Sequence, residues 1–252
     1  MRALVLLGLS LVACDRSPAP ASPPPGVAPT AASAPASDIF ETSAGPLKVH
    51  PVHHGTLWLE VNSKIVWVDP WSEGKLDGPK ADVVLITDIH QDHFDEAGLA
   101  AVRGPDAVIV APRVVAEKVP GAVVLANGER HDLGFMQVEA VPMYNLERGP
   151  EPGAFYHEKG RGNGYVLTVG DTRVYLSGDT ECTPEMQALA DIDVAFVCMN
   201  LPYTMTPGEA AGCVAKFKPK VVYPYHYRDS KLDELERGLA GSGVEVRRRA
   251  WY

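Results

Sequence analysis

Short runs in which apolar and polar residues alternate dominate the first half of the chain and predict half-buried β-strands. The stretch 47–69 predicts a β-meander with a turn at Asn62-Ser63. The following run, Val83 to Ile86, is apolar without alternation, so a buried strand is expected over 82–87. Further along we expect a helix over 95–103, strands at 108–110 and 123–125 with a helix near 113–118 between them, and one strand over 132–141.

Strands alternate with helices in the second half of the chain. Thr206-Pro207-Gly208-Glu209 is a capping box with proline at the first helical position, and it predicts a helix that reaches Phe217. The remaining elements are a hairpin of 165–169 and 173–177 turning at Gly170-Asp171, helices at 183–190 and 230–239, and strands at 193–199, 221–224 and 244–248. No repeat of fixed period accompanies them. This order predicts two sheets with helices outside them, a layered α/β domain.

Residues 149–164 form a long polar stretch without a predicted element. Loops of this length in a compact domain are commonly functional, so we expect a lid or a substrate loop here. The run Arg161-Gly162-Asn163-Gly164 within it fits two interpretations. It is either a turn in which Arg161 and backbone N–H groups bind an anionic substrate, or a flexible lead-in to the next hairpin, which we favour.

The N-terminal residues have the layout of a secretory signal. Met1-Arg2 carries a positive charge and precedes an apolar run, Ala3 to Val12, that is too short to span a bilayer. Its end, Leu11-Val12-Ala13-Cys14, resembles a bacterial lipobox, which implies cleavage before Cys14 and a lipid on that residue. An ordinary signal peptide is the alternative. We therefore expect a lipid-anchored protein on the periplasmic side of a membrane in the bacterial cell envelope.

A linker follows the signal. Residues 17–37 contain no charge and consist almost entirely of Pro, Ala and Ser. Such a segment cannot form a hydrophobic core and is expected to be extended. The predicted organisation is a lipoprotein-type signal peptide over 1–14, a Pro/Ala/Ser-rich linker over 15–40 and one globular domain over 41–252.

The net charge of the chain limits the kinds of partner that it is expected to bind. The formal net charge is −9, from 23 Lys and Arg against 32 Asp and Glu. Nucleic acid is not an expected partner, because phosphate binding needs a basic surface, whereas a small-molecule substrate fits the composition. The basic run Arg247-Arg248-Arg249 is expected to be a solvated edge strand.

Cys182, Cys198 and Cys213 show no paired spacing, so a disulfide scaffold is not expected, and Cys198 is expected in the core.

Potential metal ligands end or interrupt four segments of the predicted fold. They are Asp88, His90, Asp92 and His93 after strand 82–87, His157 in the long loop, and Asp179 and His226, each after a strand. Ligands at strand ends can converge on one edge of a sheet, where loops have the freedom to bend around a cation. His50 and His131 have no such neighbours and are interpreted as structural or surface residues.

The succession D-x-H-x-D-H, a later His, Gly-Asp-Thr and a last His resembles the metallo-β-lactamase-fold hydrolases, whose first motif has the usual form H-x-H-x-D-H. Three flanking segments are similar to the lactonase-like branch, which includes ascorbate-6-phosphate lactonase and, more distantly, N-acyl-phosphatidylethanolamine phospholipase D. These segments are His53-His54-Gly55-Thr56, Asp69-Pro70-Trp71 and Tyr175-Leu176-Ser177-Gly178-Asp179-Thr180. The resemblance covers about residues 47–252. It implies a four-layer αββα sandwich with a two-metal cleft between its sheets.

The resemblance assigns each ligand position a role. It implies that His90 and His157 hold one metal, that Asp92, His93 and His226 hold the second, and that Asp179 bridges them.

Three further roles follow from the same resemblance. Asp92 is expected to align the attacking water as well as to bind metal. Asp69 matches the family's buried carboxylate that orients a ligand histidine. His54 matches a family histidine near the rim of the cleft and is assigned a catalytic role.

Asp88 stands where the family pattern has histidine, and this departure leaves three interpretations open. Asp88 replaces the histidine as an oxygen ligand, which we favour and which shifts the preference from zinc toward manganese or iron. Alternatively, its side chain is too short and the first metal binds weakly or is absent. In the third interpretation, the chain is a non-catalytic relative.

The expected activity is hydrolysis of an ester, lactone or phosphodiester by a metal-activated water. The expected cofactor is a pair of divalent metal ions, zinc in the first place, with manganese or iron as alternatives. Hydrolysis of β-lactam antibiotics is not expected, because the true β-lactamases differ around these motifs. The alternative function is a non-catalytic metal-binding lipoprotein of the same fold.

Overall fold

Two seven-stranded mixed sheets form the framework of residues 37–252, the part of the chain that the computed structural model describes. The first sheet has the order β1 to β7: Asp38–Thr42, Gly45–His53, Thr56–Val61, Lys64–Val68, Ala81–Leu85, Arg103–Ala111 and Val123–Val124. The second has the order β14 to β8, and in chain order β8 to β14 are Arg130–Asp132, Gln137–Met143, Gly162–Val169, Thr172–Leu176, Val194–Cys198, Val221–Tyr225 and Glu245–Val246. The predicted signal peptide and most of the predicted linker lie outside the described residues.

Each half of the described chain has the same strand topology. Strands β1 to β4 pair antiparallel, and β4 to β7 pair parallel. Strands β8 to β11 pair antiparallel, and β11 to β14 pair parallel. The structure therefore contains a topological repeat, although the sequence shows no repeat of fixed period.

Within residues 37–252, five helices cover the outer faces of the sheets: α1 Glu96–Val102, α2 Arg113–Ala116, α3 Pro184–Gln187, α4 Pro207–Phe217 and α5 Leu232–Leu239. Leu99 and Val102 of α1 pack with Trp67 and Val84 on the outer face of the first sheet. On the second sheet, Phe217 of α4 meets the ring of Tyr175 edge-on at 5.8 Å. None of the helices in residues 37–252 is long and apolar enough to cross a membrane.

The main core lies between the sheets. It joins Leu59 and Leu85 of the first sheet with Val138 and Leu167 of the second, all of them fully buried. Burial of such side chains contributes about 1.5–3 kcal/mol each. Two mixed sheets back to back with helices outside confirm the expected αββα sandwich, and the meander and α4 form as predicted.

One predicted strand is wrong. The stretch 132–141 is a hairpin of β8 and β9 with a turn between Asp132 and Gln137. Gly134 has a φ of +82° there, a conformation that glycine adopts at no steric cost. The turn contains the apolar residues Leu133, Phe135 and Met136, so the hydrophobic pattern alone did not reveal it.

A disulfide joins Cys182 to Cys213, with the two Cα atoms 5.6 Å apart. This bridge corrects the expectation that the cysteines form no disulfide framework. The sequence could not predict this bridge because 31 residues separate the two cysteines, and only the packing of α3 against α4 brings them together. Cys198 is a free, buried thiol, as predicted.

The basic run near the C-terminus is not a solvated edge. Arg249 donates from Nε to Oδ2 of Asp38 at 2.8 Å, and the hydroxyl of Tyr223 donates to the same oxygen at 2.8 Å. The Arg247 guanidinium lies 5.3 Å from the ring centre of Phe40. These contacts fasten strand β1 of the first sheet to strand β13 of the second.

Candidate metal centre

The predicted ligands come together at one end of the two sheets. Asp69 follows β4, the 88–93 segment follows β5, Asp179 follows β11 and His226 follows β13. Parallel strands bring their carboxyl ends to the same edge, which explains the convergence. Three groups of potential ligands have their donor atoms within 4.8 Å of one another: His54, Asp92 and His226; Asp88, His90 and His157; and His93, Asp179 and His226.

His93 is aimed into the centre by Asp69. Asp69 is fully buried, accepts from Thr87 N at 2.8 Å and from Thr87 Oγ1 at 2.6 Å, and lies 2.8 Å from His93 Nδ1. Its backbone is held by Thr56, whose hydroxyl donates to the Asp69 carbonyl at 2.6 Å. A carboxylate on Nδ1 leaves the Nε2 lone pair of His93 facing the other ligands.

Asp179 stands between the two groups of histidines. One of its oxygens lies 3.5 Å from His93 Nε2 and 3.4 Å from His157 Nε2, and the other lies 3.5 Å from His226 Nε2. Burial opposes its charge, but the imidazoles of His226 and His93 hold the pKa of this carboxyl well below its ordinary value. This central position is the one predicted for a bridging residue.

His54 lies beneath the centre rather than at the rim of the cleft, where it was expected. Only 1% of it is exposed, and its ring centre is 3.6 Å from that of His226. The hydroxyl of Tyr252 accepts from Arg228 N at 2.9 Å and is 2.6 Å from His54 Nδ1. Because the Asp92 carboxylate can only accept, His54 Nε2–H donates to Asp92 Oδ2 at 3.1 Å, and the Tyr252 hydroxyl donates to the unprotonated Nδ1 of the neutral ring.

Burial lowers the pKa of His54 to about 4, even though the Asp92 carboxylate opposes the change. His54 is therefore neutral at neutral pH and holds Asp92 by a hydrogen bond. It positions Asp92 and does not line the cleft, so the catalytic role predicted for it is indirect.

Asn145 fixes His157. Its side-chain oxygen accepts from the backbone N of His157 at 2.7 Å and lies 2.8 Å from His157 Nδ1, while its amide donates to the Tyr203 carbonyl at 2.8 Å. His157 Nε2 is thereby turned toward Asp179. Asn145, like Tyr252, was missed from the sequence, because neither residue belongs to a spaced motif.

Asp88 is fully buried and engaged on both oxygens. Arg161 Nε donates to Oδ1 at 3.2 Å and Nη2 donates to Oδ2 at 2.9 Å, while His90 Nδ1 lies 2.8 Å from Oδ2. Burial opposes ionisation, but His90 and Arg161 lower the pKa of Asp88 to about 2. Arg161 is thus fixed in an ion pair, and the favoured interpretation of its segment as a flexible lead-in is wrong.

The inner ligands fit a divalent cation. His93 Nε2, Asp179 Oδ1 and both ring nitrogens of His226 are buried without a hydrogen-bond partner. Unpaired buried polar atoms are costly, and a cation there would compensate His93 Nε2, Asp179 Oδ1 and the Nε2 atom of His226. Asp92 Oδ2 and Asp179 Oδ1 lie 3.4 and 3.5 Å from His226 Nε2. Such separations suit nitrogen and oxygen ligands about 2.0–2.2 Å from one ion, and mixed imidazole and carboxylate ligands suit zinc, manganese or iron.

A cleft of about 340 Å³ opens above these ligands. Its floor includes Asp92, Asp179 and His157, and aromatic side chains form much of its wall: Trp71, Tyr156 and Tyr203. The exposed Arg228 stands at its edge. Among the tryptophans, Trp67 is in the core and Trp71 is in the cleft wall, while Trp58 stacks on His50 with the two ring centres 3.5 Å apart.

The family is shown by comparison with known proteins. The family model described as Beta-lactamase superfamily domain matches residues 48–226, so the chain belongs to the metallo-β-lactamase superfamily. Two UPF0173 metal-dependent hydrolases are among its relatives. The one from Aeropyrum pernix is 29% identical over 196 residues, covering 69% of this chain and 79% of the relative. The one from Enterococcus faecalis is 31% identical over 166 residues, covering 63% and 73%.

A solved structure of a metal-dependent hydrolase also matches this chain. The crystal structure of a protein described as a metal-dependent hydrolase from Parabacteroides distasonis is 42% identical, with a TM-score of 0.81 over 86% of this chain and 99% of that chain. The chain is a metal-dependent hydrolase, which confirms the expected enzyme class rather than the non-catalytic alternative. The finer resemblance to the lactonase-like branch stays a prediction.

Proposed function

We propose that this hydrolase cleaves an ester, lactone or phosphodiester bond in a small molecule bound above Asp92 and Asp179. The observation that carries the proposal is the set of buried, unpartnered ligand atoms of His93, Asp179 and His226 at the base of an aromatic-walled cleft that Asp179 itself lines. A site built in this way offers a cation to a substrate and keeps bulk water off the surrounding ligands.

Asp92, His93, Asp179 and His226 are the residues that would hold the cation. When bound, a divalent ion supplies Lewis acidity, which makes a coordinated water acidic enough to act as a nucleophile near neutral pH. Asp69 and His54 keep His93 and Asp92 in orientation through the hydrogen bonds described above.

Asp92 is the ligand best placed to act on the attacking water. Its side chain is 23% exposed, whereas those of His93 and His226 are 1% exposed, and it lines the cleft. Burial opposes ionisation of Asp92, but the charge of His93 and hydrogen bonds to His226 and His54 outweigh it and keep the pKa of this carboxyl low. An ionised Asp92 accepts a hydrogen bond from water and orients the oxygen lone pair toward the substrate.

The cleft also limits the substrate. Its volume suits a small molecule rather than a polymer, and its wall favours a substrate with a flat or apolar portion. Arg228 at the edge favours a negatively charged group at the end remote from the scissile bond.

The proposal is tested by hydrolysis assays on the full chain with nitrophenyl esters, lactones and bis(p-nitrophenyl) phosphate. Activity on one class is expected to vanish with a chelator and to return with zinc or manganese. Asp179→Asn is expected to lower kcat/KM at least about 100-fold, because it removes charge at the centre of the site. The exposed Asp106→Asn is the matched control and should leave the rate unchanged. Hydrolysis that survives both the chelator and Asp179→Asn would contradict the proposal.

We further propose that the chain is exported and anchored by lipid at Cys14. Two separate features support this placement: the lipobox-like 11–14 segment and the Cys182–Cys213 disulfide, since such bridges persist mainly in oxidising compartments. Labelling of cells with radioactive palmitate should mark the wild-type protein and not Cys14→Ser. An unlabelled wild-type protein would refute lipid anchoring.

A further inference from the structure

The centre has two halves: one contains Asp88, His90 and His157, and the other contains Asp92, His93, Asp179 and His226. Among the described residues, only the Asp88 half has an arginine paired with its carboxylate. Asp88 offers both oxygens to the guanidinium of Arg161, a bidentate arrangement that satisfies the planar fork of arginine. Arginine keeps its charge at any pH at which proteins are folded. The carboxylate at this position is therefore already neutralised by a cation that belongs to the chain.

The backbone fixes Arg161 in this place. The neighbouring strand start is hydrogen-bonded to the motif, because Asn163 N donates to the Thr87 carbonyl at 2.8 Å. Gly162 permits the close approach: a Cβ there would come within 2.9 Å of the Thr87 carbonyl and 3.2 Å of Asp88 Oδ1. Arg161 N is itself bonded to the Glu158 carbonyl at 3.1 Å. The close contact between the start of β10 and residues 87–88 therefore places the Arg161 guanidinium beside Asp88.

His90, which belongs to the same half, also contacts this ion pair. His90 Nδ1 lies 2.8 Å from Asp88 Oδ2, and its Nε2 lies 3.5 Å from Arg161 Nη2. Within residues 37–252, the centre's fully buried atoms without a hydrogen-bond partner belong to His93, Asp179 and His226, whereas both oxygens of Asp88 already accept from Arg161. A dication placed on Asp88 would share its ligand oxygen with a guanidinium 2.9 Å away. As it stands, this half does not fit a metal ion.

We propose that the Arg161–Asp88 pair takes the place of one of the two metals that the family pattern implies. The chain then holds a single divalent cation, in the half formed by Asp92, His93, Asp179 and His226, and Arg161 provides the second positive charge beneath the cleft. This inference rests on the proposed function, which assigns a divalent cation to Asp92, His93, Asp179 and His226. It adds the number of ions and a role for Arg161.

Metal stoichiometry tests the inference without an activity assay. The full chain, stripped of metal, is titrated with cobalt(II), whose absorption bands report coordination, and is separately loaded with zinc for elemental analysis. The wild-type protein should saturate at about one ion per chain. The double variant Asp88→His, Arg161→Ala restores the family pattern and removes the competing cation, so it should saturate at about two.

Arg161→Ala alone is the second variant, since it frees the Asp88 carboxylate beside His90 and His157, and it should also take up a second ion. Arg113→Ala, an exposed arginine on α2, is the matched control and should stay at one ion. Circular dichroism verifies that each variant is folded.

The outcomes separate the two proposals. Two ions in the wild-type protein would overturn the inference and leave the proposed function intact. One ion in every folded variant would also overturn it, because Arg161 would then not be what limits the site. A wild-type protein that binds no ion would instead refute the proposed function.

Discussion

Two residues outside the ligand set hold ligand histidines in place: Asp69 stands behind His93, and Asn145 stands behind His157. For both histidines a fixed partner on Nδ1 decides which ring nitrogen faces the centre. Tyr252 acts one residue further out, on His54, which in turn holds Asp92. Such partners matter because a neutral imidazole binds metal only through the nitrogen that carries no proton.

Asp69→Asn should weaken metal binding about 10- to 100-fold, the usual loss when a partner of a ligand histidine is changed. The amide keeps the size of the carboxyl group but no longer favours Nδ1–H on His93. Competition with a chromogenic chelator measures the affinity directly. Asp106→Asn, on the surface, should bind as the wild type does. An unchanged affinity in Asp69→Asn would show that packing alone orients His93.

Arg228→Ala should raise KM for a negatively charged substrate by about tenfold, with kcat nearly unchanged. The reason is that Arg228 stands at the edge of the cleft, away from the ligands on its floor. Steady-state kinetics with a matched pair of charged and neutral substrates measures the effect. An equal rise in KM for both substrates would argue against charge recognition.

At the scale of elements, the long segment after β9 is tied down rather than free. Glu181 accepts from the backbone N of Glu147 at 2.8 Å and from Arg148 Nη1 at 2.6 Å, and Arg148 also reaches Glu209 of α4. Cys182, the next residue, carries the disulfide. The segment predicted as a lid or substrate loop therefore contributes Tyr156 and His157 from a position anchored on the second sheet.

Reduction of the Cys182–Cys213 disulfide should lower the free energy of unfolding by about 2–4 kcal/mol, because the bridge restricts a closed loop in the unfolded chain. Urea denaturation with and without a reductant measures this difference. The double variant Cys182→Ser, Cys213→Ser is the control and should not respond to the reductant. Equal midpoints for the oxidised and reduced wild type would contradict the prediction.

The elements that sequence predicted correctly carry local signals. The capping box at Thr206 forms as its spacing requires, and the ligands after 82–87 lie at a strand end because an apolar run there gives way to polar residues. The Arg161–Asp88 pair could not be predicted in this way. Its partners are 73 residues apart, and only the contact between β10 and the end of β5 brings them together. The same reason hid the Cys182–Cys213 disulfide.

At the scale of the whole molecule, the two sheets are fastened away from the metal centre by Asp38. Burial opposes ionisation of this carboxyl, but hydrogen bonds from Arg249 and Tyr223 outweigh it and hold its pKa below the ordinary 3.8. A depressed pKa means that the ionised form is favoured in the folded protein. The stabilisation is therefore fully present above pH 3.8 and is lost as the pH falls toward the lower folded-state pKa.

Asp38→Asn should consequently lower the free energy of unfolding at pH 7 by about 1.5–3 kcal/mol, the range for hydrogen bonds to charged groups. The difference from wild type should shrink as the pH falls below about 4. Denaturation with urea at a series of pH values measures both. A difference that stays constant down to acid pH would show that the charge of Asp38 is not what stabilises the contact.

The repeated topology has a consequence for the order of events during maturation. Asp92 and His93 come from the first half of the chain, whereas Asp179 and His226 come from the second, so neither half alone offers a complete set of inner ligands. On the single-cation proposal, a half that folds by itself presents only two of the four ligands. Metal uptake would then follow the joining of the two halves, and bound metal would distinguish a fully assembled protein from one whose halves have not yet joined.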